Sequence, residues 1–193
     1  MPKSQVAIIM GSDSDLKVMS KAAEVLEEFK VPYEITVLSA HRTPEAAHKF
    51  ASTSSKKGFR VIIAGAGGAA HLAGVMAANT TLPVIGVPIN ASAFTGLDAL
   101  LATVQMPPGI PVATVGVDSA KNAGLLAVEI LGNSDKKLSQ KLANYKKNMS
   151  KHVCCWRNSM VWHTRCLILI FFLQCMCAKR HCSVHKLKVH RHR

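Results

Sequence analysis

Short apolar runs and amphipathic stretches alternate along the first 149 residues. Val6–Met10 reads VAIIM, five apolar residues with no polar break, and stops at Gly11. Its length and β-branching predict a strand buried on both faces. Val18, Met19, Ala22, Ala23, Val25, Leu26 and Phe29 then recur at helical spacing, which predicts an amphipathic helix over 16–30. The same alternation continues. Strands are predicted at 33–38, 60–64, 82–88 and 111–117. Helices are predicted from Pro44 to about Ser55 and over 69–79, 97–105, 120–131 and 135–149. Thr43 is expected to cap the second helix, with Pro44 at its first position.

Strands alternating with helices imply an α/β fold, a five-stranded parallel sheet with helices on both faces. Right-handed crossovers make it an open, doubly wound three-layer sandwich of flavodoxin-like type, here with a C-terminal helix. Ligands of such sheets bind beyond the carboxyl ends of the strands. The polar turns of this chain all follow strands, so they are expected to converge on that edge.

Composition divides the chain in two. All 12 Gly, all 8 Pro and all 11 Asp and Glu precede residue 150, whereas all 6 Cys and both Trp follow it. The first part holds 15 Lys and Arg against those 11 acids; the second holds nine and no acid. The high overall charge therefore belongs mainly to the tail, and neither nucleic acid nor a membrane is implied as a partner of the first part. That part has no Cys and shows no secretory pattern at its start, so a cytoplasmic protein is expected. Within 150–193, the apolar run 166–178 falls short of the about 20 residues that span a bilayer. Its Cys and His spacing fits no standard zinc pattern. The tail is expected to be disordered or a non-native extension of a catalytic domain at 1–149.

Three turns carry candidate chemistry. The first, Gly11-Ser12-Asp13-Ser14-Asp15, opens a helix, where amide groups and the helix dipole favour an anion and a carboxylate can meet sugar hydroxyls. The same residues also make an ordinary N-cap. The second, Ser39-Ala40-His41-Arg42-Thr43-Pro44, pairs an imidazole, which ordinarily titrates near neutrality, with a guanidinium fork suited to phosphate. In the third, Gly65-Ala66-Gly67-Gly68-Ala69-Ala70-His71, missing side chains let a ligand approach the backbone. It formally fits a dinucleotide pattern but lacks the acidic residue about 20 positions on. His71 opens the next helix, a place where histidines often serve structure alone. Together the turns point to a phosphorylated metabolite and acid–base chemistry, with no metal site and no cofactor. They do not identify the substrate.

The segments VAIIMGSDSD, VLSAHRTP, VIIAGAGGAAHLAG, PVIGVP, VQMPPGIPVATV and NAGLLAVEIL occur in order. In them, residues 6–147 resemble the PurE family of purine biosynthesis, whose first class is N5-carboxyaminoimidazole ribonucleotide mutase. The resemblance implies that Ser12, Asp15 and Arg42 contact the ribonucleotide, Arg42 at its phosphate and Asp15 at its ribose. Ser14, Ser39, Leu72 and the loop Ala66, Gly67, Gly68 and Ala69 would complete the pocket. His41 would be the general acid and base, and His71, the other catalytic candidate, would line the CO2 region. It also implies a homo-octamer with sites at subunit contacts, and functional coupling to the synthetase that makes the N5-carboxylated substrate. Because CO2 must be retained, the pocket is expected to be small, closed and dry. The second class of the family carboxylates the unsubstituted ribonucleotide directly. It usually has Lys where this chain has Arg42 and lacks the string Gly67 to His71, so the mutase class is favoured. A non-catalytic nucleotide- or flavin-binding module is the reading that fold alone would allow. Ala73 stands where the family commonly has Pro, with altered stability expected more than lost activity.

Overall fold

The computed structural model describes residues 4–159. The chain divides into two units, 1–147 and 148–193. The apolar run and most of the cysteines singled out in the tail lie outside the described residues.

Five parallel strands form one sheet, β1 (Val6–Met10), β2 (Tyr33–Val37), β3 (Val61–Gly67), β4 (Val84–Ile89) and β5 (Ala113–Thr114), in the order β2-β1-β3-β4-β5. This is the flavodoxin-like doubly wound order, with its switch point between β1 and β3. Between and after the strands run α1 (Leu16–Phe29), α2 (Pro44–Lys57), α3 (Leu72–Ala78), α4 (Leu97–Val104), α5 (Ala120–Gly132) and α6 (Lys136–Ser159).

The period of two in a strand divides the core into two. Val6, Ile8 and Met10 of β1 face one cluster with α1, α5 and the start of α6, whereas Ala7 and Ile9 face the other with α2 and α3. Apolar runs without alternation are thus explained, since both faces of the central strands are covered. The edge strand β2 is the exception: Ile35 and Val37 are exposed.

Small residues set the close contacts. A Cβ on Gly124 of α5 would lie 2.9 Å from the Ala22 carbonyl oxygen and 3.0 Å from Val25 Cβ on α1. The space beside Gly86 on β4 is filled by Thr103 of α4. The α1 C-terminus takes the left-handed Lys30 as its cap, and Lys141 Nζ donates to the Phe29 carbonyl at 3.2 Å, satisfying a helix-end acceptor with a cation.

Several boundaries differ from those the sequence predicts. Gly65 to Gly67 continue β3 instead of turning, because they pair with Val87, Pro88 and Ile89 of β4. The next helix accordingly starts at Leu72, not Ala69. The fifth strand shrinks to two residues at the sheet edge. Thr43 does not cap α2 with its side chain. Its hydroxyl turns back, donating to the Ser39 carbonyl at 3.0 Å and accepting the Ser39 N–H at 3.2 Å. Ala73 is buried in the first turn of α3, which forms without a proline there.

Gly124→Val should destabilise the fold by about 1–3 kcal/mol, the usual cost of overpacking. Gly132→Ala, where a Cβ meets nothing nearer than 3.6 Å, should be tolerated. Urea unfolding of both variants checks this, and equal midpoints would contradict the α1–α5 contact.

Candidate functional site

The last residues of β2 and β1 stand side by side, Val37 against Met10, and Met10 pairs in turn with Gly65 of β3, which runs on to Gly67. The pairing runs one residue further through Leu38 N–H to Met10 O (2.9 Å) and Gly11 N–H to Gly65 O (3.1 Å). The three polar turns therefore leave the sheet at one edge, the third two residues beyond the other two.

In the first turn Ser12 caps a 3-10 turn at Asp13–Asp15 with a reciprocal capping box. Ser12 Oγ accepts from Ser14 N–H at 3.4 Å, and Asp15 Oδ2 accepts from Ser12 N–H at 3.1 Å. Asp15 is only 5% exposed. Burial pushes its carboxyl above the usual aspartate value, opposed by the Ser12 amide; neighbouring Asp13 raises it further and Arg42 lowers it.

The second turn is closed by Thr43 and by Ser39, whose Oγ accepts from the backbone N–H of Arg42 at 3.1 Å and from its Nε at 3.4 Å. Arg42 Nη2 donates to the Gly11 carbonyl at 2.8 Å, tying the second turn to the first. Both partners are neutral, so the guanidinium charge stays uncompensated by them and suited to an anion.

At the third turn Gly68 adopts φ +58°, which favours glycine. A Cβ on Gly67 would lie 2.5 Å from Ala91 Cβ, so the bare glycine lets the β4–α4 connection approach. That connection is anchored by Asn90 N–H donating to Asp118 Oδ1 at 3.0 Å. His71 stands just before α3, and its side chain caps nothing there. Its Nδ1 lies instead 2.8 Å from His41 Nε2, with the rings nearly perpendicular at 82°.

These turns enclose a cavity of about 410 Å³. Ser12, Ser14, Asp15, Ser39, His41, Arg42, Ala66, Gly67, Gly68, Ala69 and Leu72, all expected site residues, line it. His71 is not on its wall but one hydrogen bond behind His41. Gly11, Ala40 and Ala91 line the cavity without having been expected. Gly11 and Ala40 adjoin expected residues. Ala91 follows the carboxyl end of β4, so strand topology could have found it, but an alanine carries no chemical signal.

The closed pocket expected for retained CO2 is not what one chain shows. Leu72 is buried, yet His41, Arg42 and Ala69, which also line the cavity, are exposed. Three turns leaving one sheet edge supply its lining. Among the described residues no three His, Cys, Asp or Glu side chains gather as a metal site, and no helix is long and apolar enough to cross a membrane.

A guanidinium tied by neutral groups, a buried carboxylate, a glycine-bared backbone and an imidazole pair at the switch point are features suited to one class, an α/β enzyme acting on a phosphorylated small molecule. The chain belongs to the AIR carboxylase family, whose model matches residues 5–152. It is 62% identical over 151 residues to the N5-carboxyaminoimidazole ribonucleotide mutase of Pyrococcus abyssi, covering 78% of this chain and 86% of that one. It is 54% identical over 148 residues to the chloroplastic phosphoribosylaminoimidazole carboxylase of Vigna aconitifolia, covering 77% of this chain and 27% of that longer protein. A crystal structure of Treponema denticola PurE superposes with a TM-score of 0.75 at 27% identity, covering 82% of this chain and 99% of that one.

Asp15 yields a pH prediction. A buried acid whose folded-state value lies above its ordinary 3.8 costs stability once ionised, so its contribution worsens as pH rises through that window. Asp15→Asn should therefore raise stability near pH 7 by about 0.5–1 kcal/mol, the scale of a typical stabilising substitution. The gain should shrink as pH falls and vanish below about 4. Urea melts across the acid range check this; a variant less stable than wild type at neutral pH would contradict it.

Proposed function

We propose that this chain is an N5-carboxyaminoimidazole ribonucleotide mutase of purine biosynthesis, moving a carboxylate from N5 to C4 of the aminoimidazole ring. One observation carries the reading: His41, Arg42, Asp15 and the Gly67–Gly68 backbone line a single cavity. The resemblance in sequence to the Pyrococcus abyssi mutase supports the choice of reaction. Arg42 beside a string Gly67 to His71 favours the mutase over direct carboxylation of the unsubstituted ribonucleotide.

In this reading Arg42 exchanges the Gly11 carbonyl for the substrate phosphate, a stronger, charge-assisted partner. Asp15 and Ser12 hold the ribose. Ser14, Ser39 and the Ala66 to Ala69 backbone complete the binding surface. Protonated His41 gives its proton to N5 as the N5–carboxylate bond breaks, releasing CO2 and the free amine. C4 then attacks the CO2, and the C4 proton returns to His41. No proton is gained or lost over the cycle, and no cofactor takes part. CO2 rests against Ala66, Ala69 and Leu72, small or apolar groups that give it no competing nucleophile. Holding both fragments together makes the recombination effectively unimolecular.

The open rim is closed, in this reading, by other copies of the chain in a homo-octamer. In support, α4 and the turn before it bare Phe94, Leu97, Leu101 and Val104, a stripe at helical spacing with exposures of 48–69%. The substrate comes from the synthetase that carboxylates N5, in the cytoplasm. Residues 1–149 make up the catalytic domain, and residues 150–193 are an extension outside it.

His41→Asn should lower kcat by about 10²–10⁴-fold, the usual worth of a general acid–base group. Ribonucleotide binding, followed by calorimetry, should stay within a few-fold of wild type. Full turnover by the variant would remove His41 from the chemistry.

A further inference from the structure

The connection between β4 and α4, residues 90–96, reaches the cavity through one methyl group, that of Ala91. Ala91 is exposed, and a Cβ on Gly67 would lie 2.5 Å from Ala91 Cβ, so the methyl is seated against bare backbone. The connection is braced on both sides of it. Asn90 N–H donates to Asp118 Oδ1 at 3.0 Å, and Asp118 N–H donates in turn to the Pro88 carbonyl at 2.9 Å. Ser92 Oγ donates to Asp98 Oδ2 at 2.8 Å and accepts from Phe94 N–H at 3.3 Å. Asp98 Oδ1 is buried without a partner among the described residues, so the Ser92 hydroxyl is what holds that carboxylate. Thr95 and Gly96 take φ of +52° and +84°. A β-branched residue stays in that region only where its surroundings impose it.

We propose that Ala91 is a specificity-determining residue: its methyl group, held against Gly67 by the braced connection, is the stop that limits the substituent on C4 of the substrate ring to the size of a carboxylate. This rests on the ribonucleotide reading of the site. The strand order supplies the direction. Across the sheet the order is β2-β1-β3-β4, and neighbouring strands lie about 4.8 Å apart. With the phosphate at Arg42, after β2, and the ribose at Asp15, after β1, the ring extends toward the ends of β3 and β4, where Gly67 and Ala91 stand. Ring N1 carries the ribose, so C4 lies on the far edge of the ring, and its substituent is the group that comes nearest Ala91.

A small, fixed wall suits the reaction. Free CO2 needs a place beside C4 little larger than itself, because extra depth would let it drift from bonding distance. An alanine there offers no proton, charge or nucleophile to the carboxylate that forms. A loose connection would accept a larger group by yielding. The bonds to Asp118 and Asp98, one on each side of Ala91, keep the methyl in place. One methyl group against such a wall is worth about 10–200-fold in discrimination.

The test is calorimetric titration of the full chain with three aminoimidazole ribonucleotides, bearing at C4 a hydrogen, a carboxamide or an N-methyl carboxamide. Wild type should bind the carboxamide about ten-fold or more tightly than its N-methyl derivative, the scale of one methyl group without room. Ala91→Gly should bring those two within about three-fold of each other. Ala91→Val should weaken the carboxamide by about ten-fold while the C4–H compound stays within about three-fold of its wild-type affinity. Ser92 does not line the cavity, yet Ser92→Ala leaves Asp98 without its partner, so this variant should also lose discrimination against the N-methyl compound. A merely structural role would move all three affinities together. An Ala91→Gly variant that still excludes the N-methyl compound would overturn the proposal. So would an Ala91→Val variant that weakens all three alike, or undiminished discrimination in Ser92→Ala. A wild type that binds none of the three defeats the ribonucleotide reading itself, whereas one that binds all three equally defeats the stop alone.

Discussion

The site depends on the register of three parallel strands. Val37, Met10 and Gly65 are neighbours across the ladder, so β2 and β1 end level with each other and β3 ends two residues further along the same edge. A parallel sheet sends every strand end of the same polarity to the same edge. Nothing in the turns themselves would bring His41 and His71, 30 residues apart, to hydrogen-bonding distance. The core fixes that register, because a slip of one residue would exchange the two sets of β1 side chains between the clusters on either face.

Within that frame, the charged groups of the site are held mostly by neutral partners. Arg42 is tied by a carbonyl and a hydroxyl, and Asp15 by a backbone amide. Carboxylate partners would neutralise the guanidinium, and an entering anion would then have to break an ion pair. Neutral partners fix direction while the charge stays available. Asp15 shows the cost, since its burial disfavours the ionised form. Backbone amides and carbonyls thus orient this site more than opposite charges do.

Much of this was legible in the chain. The apolar runs gave the strands because the central ones are buried on both faces, and the turn chemistry pointed to the right edge. The cavity is lined by the residues expected of it, His71 excepted. What escaped has physical reasons. The Gly65–Gly67 segment has no strand propensity of its own and is a strand by pairing with β4 along its length and with β1 at Gly65. Thr43 has two acceptable partners for its hydroxyl, and local sequence does not say that Ser39 outcompetes the helix end. Ala91 has no reactive group, and its place depends on the bare Gly67. The imidazole pair is a tertiary contact, invisible to spacing along the chain. The open rim was not foreseen because the expectation came from the chemistry of CO2, not from what three loops of one chain can enclose.

The most direct test is turnover by the purified protein of two substrates. These are the N5-carboxylated aminoimidazole ribonucleotide and the unsubstituted ribonucleotide with bicarbonate, each followed by formation of the C4-carboxylated product. Conversion of the first should be rapid, and that of the second slow at physiological bicarbonate. Equal or faster turnover of the unsubstituted ribonucleotide, or no reaction with the N5-carboxylated one, would contradict it.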